Sequence, residues 1–336
     1  MTTAPFKELA GAQLGLEPAK YFSAPGLSNS GMSDLLVSPL RYWFKQVNPA
    51  REPEEPTPQM RFGSALHCAV LGPDQFDKRY ACELNADDYD GCLVTIQDCR
   101  QWLEDKGIKA KGTRKADVIA QVQAKDPDWP IFDVLQARHL EQHAGKTLFS
   151  MDDWLRIQRA AEALKAEPRV SGLLSNGQAE VSILGEDPEF GIPLKARLDW
   201  VTPTHTLDLK TFTQTRGKSI DKTVTDAIWY EGYYRQAYFY TWMRTLLGGF
   251  DPKKSWPTFV FAFVESDEPH EVRLRALRPT SAGQPNLYWD RGRMEVRALI
   301  RKYADYWERF GEKPWRDQQE IDPLIDEEIP QLLFGR

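Results

Sequence analysis

Cysteine is scarce in this 336-residue sequence: it has four, at positions 68, 82, 92 and 99, and none stands in a C-x-x-C pair. Structural zinc and iron–sulfur ligands usually come in closely spaced pairs, so this spacing argues against such a cluster and favours reduced thiols. The sequence also has no run of about 18 apolar residues and no basic N-terminal segment followed by an apolar one. We therefore expect a cytoplasmic protein without a membrane span.

Three common catalytic motifs are missing as well. The segment GLSNSG would need a glycine at Ser30 to form the G-x-S-x-G elbow of a serine hydrolase. His139 and His143 have helical spacing, but the glutamate does not directly follow the first histidine, as the H-E-x-x-H metalloprotease motif requires. There is no glycine-rich phosphate loop, so we expect no requirement for ATP.

The net charge of −6, from 43 basic and 49 acidic residues, points away from nucleic acid as a partner. Bulk charge is a weak argument, however, because a local basic stripe and bound divalent cations can attract DNA to an otherwise acidic surface. With 41% hydrophobic and 27% charged residues, the composition is ordinary for a soluble globular protein.

Hydrophobic periodicity predicts helices alternating with strands. Ser28 or Ser30 is a candidate cap for one helix, and Ser38 caps the next, with Pro39 at its first position. Further along, the pattern predicts helices over 151–166 and 226–247 and a late helix in DRGRMEVRALIRKYADYWERF. Strands are predicted in AEVSILGE, as a hairpin over 195–211, and in PTFVFAFVES and HEVRLRAL.

The hairpin KARLDWVTPTHTLDLKT carries an unusual concentration of charge. Alternation along a strand places Lys195, Arg197 and Asp199 on one face of the first strand, and Asp208 with Lys210 on one face of the second. We therefore expect these charges to converge.

Together with Glu180 on the preceding strand, the hairpin aspartates Asp199 and Asp208 form a group of three carboxylates. Such a group is repulsive unless a cation or a proton lies among them, and oxygen ligands favour Mg²⁺ or Mn²⁺. Lys210 could hold a water molecule and stabilise charge building up on a phosphate. Phosphodiester hydrolysis requires this combination of groups.

Asp199 followed by Asp208-Leu209-Lys210 is similar to the D…(D/E)-x-K signature of the PD-(D/E)-x-K nucleases. Three further matches occur in the same order along the chain: GSALH with His67, the strand opened by Glu180, and QAYFY as a Q-x-x-x-Y helix with Gln236 and Tyr240. Within that superfamily the chain most resembles the phage recombination exonucleases of the RecE type, also called exodeoxyribonuclease VIII. The segments that carry this resemblance are FGSALHCAVLGPDQF, KARLDW, LDLKT, YYRQAYFY and FAFVE.

The resemblance implies an α/β fold with a restriction-endonuclease-like core, in which helices flank a central mixed β-sheet. It covers residues 21–310, which leaves 1–20 as an N-terminal extension and 311–336 as a C-terminal tail. Residues 91–125 look like a helical insertion similar to SAP-type DNA-binding modules, with a basic turn, KGIKAKGTRK. A surface helical hairpin with a solvated turn explains the same pattern.

The resemblance also implies residue roles. Asp199 and Asp208 would bind the metal, with help from His67 and the Leu209 carbonyl. Lys210 would be the catalytic lysine, and Glu180 would assist with a second metal or the attacking water. The remaining roles concern DNA: Gln236 and Tyr240 would position the scissile strand, and Arg197 and Ser30 would grip a terminal 5′-phosphate.

The function implied is Mg²⁺-dependent 5′-to-3′ exonuclease activity on linear double-stranded DNA, leaving 3′ single-stranded tails for a RecT-like single-strand annealing protein. By the same resemblance we expect a homo-oligomeric ring. Two alternatives stay open: a non-catalytic DNA-binding recombination accessory, and a structure-specific endonuclease that uses the same site.

Overall fold

Eight strands form two sheets in a computed structural model that describes residues 11–52, 54–246, 256–279 and 286–317. In chain order they are β1 (Gly11–Gln13), β2 (Tyr80–Cys82), β3 (Thr147–Phe149), β4 (Gln178–Glu186), β5 (Pro193–Val201), β6 (His205–Phe212), β7 (Thr258–Glu265) and β8 (Val272–Leu277). The main sheet has the order β1-β4-β5-β6-β7-β8. Only β6 and β7 are parallel in it, which confirms the predicted mixed sheet. β2 and β3 form a separate parallel pair.

Thirteen α-helices are present in the described residues. They are α1 (Pro18–Ser23), α2 (Asn29–Val37), α3 (Pro39–Tyr42), α4 (Pro58–Leu71), α5 (Pro73–Arg79), α6 (Ile96–Asp105), α7 (Lys115–Lys125), α8 (Phe132–Gln142), α9 (Met151–Ala166), α10 (Pro168–Leu174), α11 (Ile220–Tyr230), α12 (Tyr233–Leu246) and α13 (Leu287–Phe310). A π-helical turn (Trp43–Val47) and a 3₁₀ turn (Ala86–Asp88) complete the set. Across these ranges, no helix combines the length and apolar character needed to cross a bilayer.

The predicted serine caps are confirmed. Of the two candidates at the start of α2, Ser28 is the cap, and its hydroxyl oxygen accepts a hydrogen bond from the Gly31 amide at 3.1 Å. Ser38 accepts from the Arg41 amide at 3.0 Å at the start of α3.

The single helix predicted over 226–247 is wrong, because the structure divides this segment between α11 and α12. Gly232 lies between them in the left-handed region, with φ +68°, a conformation that ends a helix and that glycine adopts without strain. The aromatic periodicity continues across the break, which is why the sequence reads as one helix. Trp229, near the start of the predicted helix, therefore lies on α11 and is 44% exposed. Leu247, the last residue of the predicted helix, lies outside the described residues.

Hydrophobic layers cover both faces of the main sheet. On one face, β4 and β5 pack with α2, α12 and α13 around residues such as Ile183, Phe239 and Ile300. On the other, β6 and β7 pack with α4, α9 and α10 around Leu207 and Ile157. The site-bearing strands β5 and β6 are therefore held between two helical layers.

Parts of the predicted terminal segments belong to this core. β1, within the predicted 1–20 extension, pairs with β4 at the edge of the main sheet. Trp315, within the predicted 311–336 tail, is 1% exposed and stacks on Tyr42 with ring centroids 5.0 Å apart. Residues 1–10 and 318–336 lie outside the described chain.

The predicted insertion contains two helices, α6 and α7, with a small hydrophobic core of their own. The fully buried centre of that core includes Cys99, Leu103 and Val118, and its far edge extends to Ile131, beyond the predicted boundary at 125. In the basic turn, Arg114 pairs with Asp117, and Lys115 pairs with Asp133. Arg114 is therefore paired within the insertion, whereas Lys115 is paired with a residue of α8, beyond the predicted boundary.

Candidate active site

Strands β5 and β6 separate at the point where the predicted acidic residues begin. Their ladder pairs Trp200 with Leu207 but does not extend to Asp199 and Asp208, whereas β6 stays paired with β7 along its whole length. In the gap, the Leu209 amide donates to Asp199 Oδ2 at 2.9 Å. The Asp199 side chain thus replaces a backbone partner and bridges the diverging strands.

Glu180 marks a second irregularity, on β4. Its φ is +56°, a left-handed conformation that costs a non-glycine residue roughly 1 kcal/mol or more. The flanking cross-strand pairs are Ala179–Trp200 and Val181–Leu198, and these two pairs pack against opposite faces of the sheet. Alternate residues of a regular strand point to the same face of the sheet. Here the neighbours on either side of Glu180 point to opposite faces, and so do their partners on β5. The alternation of side chains is therefore reversed at this position in both strands.

Asp208 is the most enclosed acid of the site, with 2% of its surface exposed. Its Oδ2 lies 2.6 Å from Lys210 Nζ, and its Oδ1 accepts a hydrogen bond from Gln236 Nε2 at 2.7 Å. Burial is the main cause that raises the pKa of Asp208 to about 6; the nearby Asp199 adds to the rise, and Lys210 opposes it. The carboxyl group therefore titrates just below neutral pH.

Lys210 supplies a positively charged side chain to the site. Burial alone would lower its pKa, but the Asp208 and Asp199 carboxylates outweigh burial and raise it above the ordinary lysine value. Nζ also lies 4.9 Å from the centre of the Tyr233 ring, within range of a cation–π contact. The lysine is therefore positively charged at neutral pH and held between a carboxylate and an aromatic ring.

His67, on α4, reaches both of the diverging strands. Its Nε2 lies 3.0 Å from the Leu209 carbonyl oxygen, and its Nδ1 lies 3.5 Å from Asp199 Oδ2. If Nε2 donates to the carbonyl, Nδ1 and the carboxylate oxygen are two facing acceptors, which need a proton or a cation between them. The structure therefore brings His67, Asp199 and Leu209 together, as the sequence predicts.

The predicted metal ligands fit a hard divalent cation by their chemistry, since they offer carboxylate and carbonyl oxygens and one imidazole. As the side chains stand, however, no three acidic, histidine or cysteine residues in the described ranges are grouped closely enough to hold a metal ion. The reason is that Asp208 is turned to Lys210 and Glu180 is turned to Arg197.

Arg197 and Ser30, the predicted 5′-phosphate contacts, have partners within the protein. Arg197 Nε donates to Glu180 Oε2 at 2.6 Å, and its Nη1 donates to the Leu16 carbonyl at 3.0 Å. Ser30 Oγ lies 3.1 Å from Ser28 Oγ, near the start of α2. Their proposed contacts with DNA stay predictions.

Lys195 does not join the charged group, so the prediction that it converges with the other charges of the hairpin is wrong. It is 7% exposed, and its ammonium group donates to the carbonyls of Tyr21, Phe22 and Ala24 around the end of α1. Strand alternation predicts which face of the sheet a side chain is on, but not what covers that face. Here α1, which is distant in sequence, covers the part of the face that carries Lys195.

Gln236 and Tyr240 are interior residues of α12. Gln236 is 6% exposed, and a hydrogen bond joins it to Tyr240 as well as to Asp208. Burial, followed by the nearby Tyr21, Asp208 and Asp199, raises the pKa of Tyr240 well above its ordinary value. Gln236 and Tyr240 therefore contact Asp208 from the protein interior, directly and through Gln236 respectively. The contact of these two residues with the scissile strand stays a prediction.

A cavity of about 480 Å³ opens beside the site and is lined by His67, Glu180 and Arg197. Arg79 and Gln75, from α5, also line it. Sequence reasoning missed these two residues, because α5 reads as an ordinary surface helix and nothing in its pattern indicates a neighbour as distant in sequence as Glu180.

Comparison with known proteins gives one family match. Residues 28–316 match the model of a PDDEXK-like domain of unknown function (DUF3799). No curated protein matches the chain.

Solved structures also match the chain. A crystal structure from Eubacterium rectale, named "Putative exonuclease", has a TM-score of 0.50 and 15% sequence identity, and the match covers 86% of each chain. A structure of the protein SSO0001 matches with a TM-score of 0.24 and 14% identity over 43% of this chain and 65% of the other. At such identities the first likeness concerns the fold alone.

Proposed function

Because the chain belongs to the family of PDDEXK-like domains (DUF3799), we propose that it is a metal-dependent nuclease that hydrolyses phosphodiester bonds in linear duplex DNA. The observation that carries the proposal is the buried contact of 2.6 Å between Asp208 and Lys210, located where β5 and β6 separate. A buried acid–lysine pair at a break in a sheet is costly for stability alone, which favours a role in chemistry.

Each residue has a separate task in this proposal. Asp199, Asp208, the Leu209 carbonyl and His67 would hold a divalent cation, for which we propose Mg²⁺, with Mn²⁺ as a substitute. The cation would supply positive charge that acidifies water and offsets charge on the phosphate. Lys210 would orient the attacking water and stabilise the negative charge that builds up on the phosphate oxygens.

Glu180 is proposed as an auxiliary acid. Its ion pair with Arg197 holds it beside the cavity that His67 also lines. Release of that ion pair would free a carboxylate for a second cation or for the attacking water. Its left-handed backbone supports this role, because strained conformations in folded proteins concentrate at functional sites.

The finer parts of the proposal come from the resemblance to RecE-type enzymes. They are digestion from 5′ to 3′, production of 3′ tails for a RecT-like annealing protein, and assembly into a homo-oligomeric ring. The fold-level likeness to the Eubacterium rectale protein, whose name mentions exonuclease, agrees with attack from an end.

The test measures acid-soluble nucleotide released from linear duplex DNA in Mg²⁺ or in EDTA. The wild type is compared with Asp208→Ala and Lys210→Ala, and Lys222→Ala, which removes a surface ion pair with Asp226, is the matched control. We expect release only with metal, only from wild type and control, and none from covalently closed circles. Release that survives both site substitutions would refute the assigned site, and cutting of closed circles would identify an endonuclease.

A further inference from the structure

Among the described residues, the cavity beside the site is lined by one arginine that forms no ion pair. The charged side chains along its wall, besides His67, are Glu17, Arg79, Glu180 and Arg197. Arg197 and Glu180 form an ion pair with each other. In the described part of the chain, Arg79 makes neither an ion pair nor a hydrogen bond through its side chain, although its guanidinium offers five donors.

The backbone that carries Arg79 is firmly held. Arg79 is the last residue of α5, and the next residue, Tyr80, begins β2. Phe76, one turn earlier, is 7% exposed and packs on Tyr80 and Trp154, with ring centroids 5.4 and 5.0 Å away. A guanidinium on a fixed helix end can bind an anion with less loss of entropy than one on a loose loop.

The cavity adjoins the proposed reaction centre at His67. His67 lines it and also reaches Asp199 and the Leu209 carbonyl, at 3.5 and 3.0 Å. A DNA strand bound across the carboxylates would therefore place a neighbouring phosphate in or beside the cavity. Arginine suits such a phosphate because its planar fork matches two phosphate oxygens at once.

We propose that Arg79 binds a phosphate group of the DNA strand, terminal or internal, on the His67 side of the site. This inference rests on the proposed nuclease function and names a substrate contact within it. Glu17, which also lines the cavity and pairs with no arginine of the described residues, opposes the phosphate by like-charge repulsion. Arg79 and Glu17 thus act on the same ligand with opposite signs.

The test measures the KM of nucleotide release and, in EDTA, direct binding of linear duplex DNA as a function of salt. We expect Arg79→Gln to raise both KM and Kd about tenfold with little change in kcat. The slope of log K against log salt should decrease by roughly one phosphate contact, about 0.7–0.9. Arg79→Lys should recover part of the loss, and Glu17→Gln should lower KM. Lys78→Gln is the matched control, since Lys78 is an exposed neighbour that does not line the cavity.

Ends bearing 5′-phosphate or 5′-hydroxyl groups distinguish the two sources of the phosphate. A defect confined to phosphorylated ends assigns Arg79 to the terminal phosphate, and an equal defect on both assigns it to an internal phosphodiester. If Arg79→Gln leaves KM, Kd and salt slope equal to those of Lys78→Gln, the inference is wrong.

The binding measurement separates this inference from the nuclease proposal. DNA binding that depends on Arg79, without release under any divalent metal, would overturn the nuclease and keep the phosphate contact. A wild type that neither binds DNA nor releases nucleotide under any divalent metal would overturn both.

Discussion

Replacement of Gln236 by methionine tests how the buried acid of the site is kept ionised. Gln236 Nε2 donates to Asp208 Oδ1 at 2.7 Å, and both residues are buried. Methionine has nearly the same length and volume but no donor, so the substitution removes the hydrogen bond without opening a large cavity.

The expected magnitude follows from the strength of that bond. A hydrogen bond to a charged group is worth about 1.5–3 kcal/mol, and one pKa unit corresponds to about 1.36 kcal/mol. The bond stabilises the ionised form of Asp208, so its loss should raise the pKa from about 6 by roughly one to two units. At pH 7 the ionised fraction would then fall from about nine-tenths to about a quarter, if the new pKa is about 7.5.

Two assays check this result. The pKa of Asp208 is measured from its carboxyl ¹³C shift in metal-free protein, and the pH profile of nucleotide release is measured at constant Mg²⁺. We expect both midpoints to move to higher pH and activity to recover at alkaline pH. Gln101→Met is the matched control, because Gln101 donates to the exposed Asp105 at 2.9 Å, far from the site. An unchanged Asp208 pKa, with weaker DNA binding at every pH, would refute the supporting role and favour the DNA contact that the resemblance implies.

Three further substitutions test other parts of the structure. Asp199→Asn keeps an acceptor for the Leu209 amide, so it should abolish nuclease activity while changing the free energy of unfolding by less than about 1 kcal/mol. Asp199→Ala removes that acceptor and should also lower the free energy of unfolding by about 1–3 kcal/mol, measured by urea denaturation. Tyr233→Leu should reduce kcat about 2- to 30-fold by removing the cation–π contact, worth about 0.5–2 kcal/mol, and Tyr233→Phe should be nearly normal. Gly232→Ala should lower the free energy of unfolding by about 1 kcal/mol or more, because the φ of Gly232 is +68° and the new Cβ would lie 2.8 Å from Arg235 Nη2. Gly172→Ala is the control and should not lower it, because Gly172 lies inside α10 with open space around the added Cβ.

Most strands of the main sheet, and the placement of Asp208 beside Lys210, are predictable from local patterns. The hairpin over 195–211 agrees with β5 and β6 because period-two alternation and the turn at Pro203 are local signals. The D-x-K spacing on one strand places Asp208 and Lys210 on the same face whatever surrounds them, and the 2.6 Å contact between them agrees with that expectation.

Other features depend on contacts between distant segments, which no local pattern reports. The burial of Lys195 under α1 is one case, and the Arg79 side chain in the same cavity as Glu180 is another. The break at Gly232 was missed for a different reason: the aromatic repeat continues through it, so hydrophobic periodicity outweighed a single glycine in the prediction.

The separation of β5 from β6 explains why alternation alone could not give the geometry of the site. Alternation assumes that a strand keeps its partners, but here the ladder stops after Trp200, and β4 and β5 switch faces at Glu180. If the ladder had continued, the Leu209 amide would bond to a backbone carbonyl, and the Asp199 carboxylate would not be needed there. Because it stops, one carboxylate both holds the strands in place and faces His67. The local sheet defect is thus what makes room for a charged group between two strands.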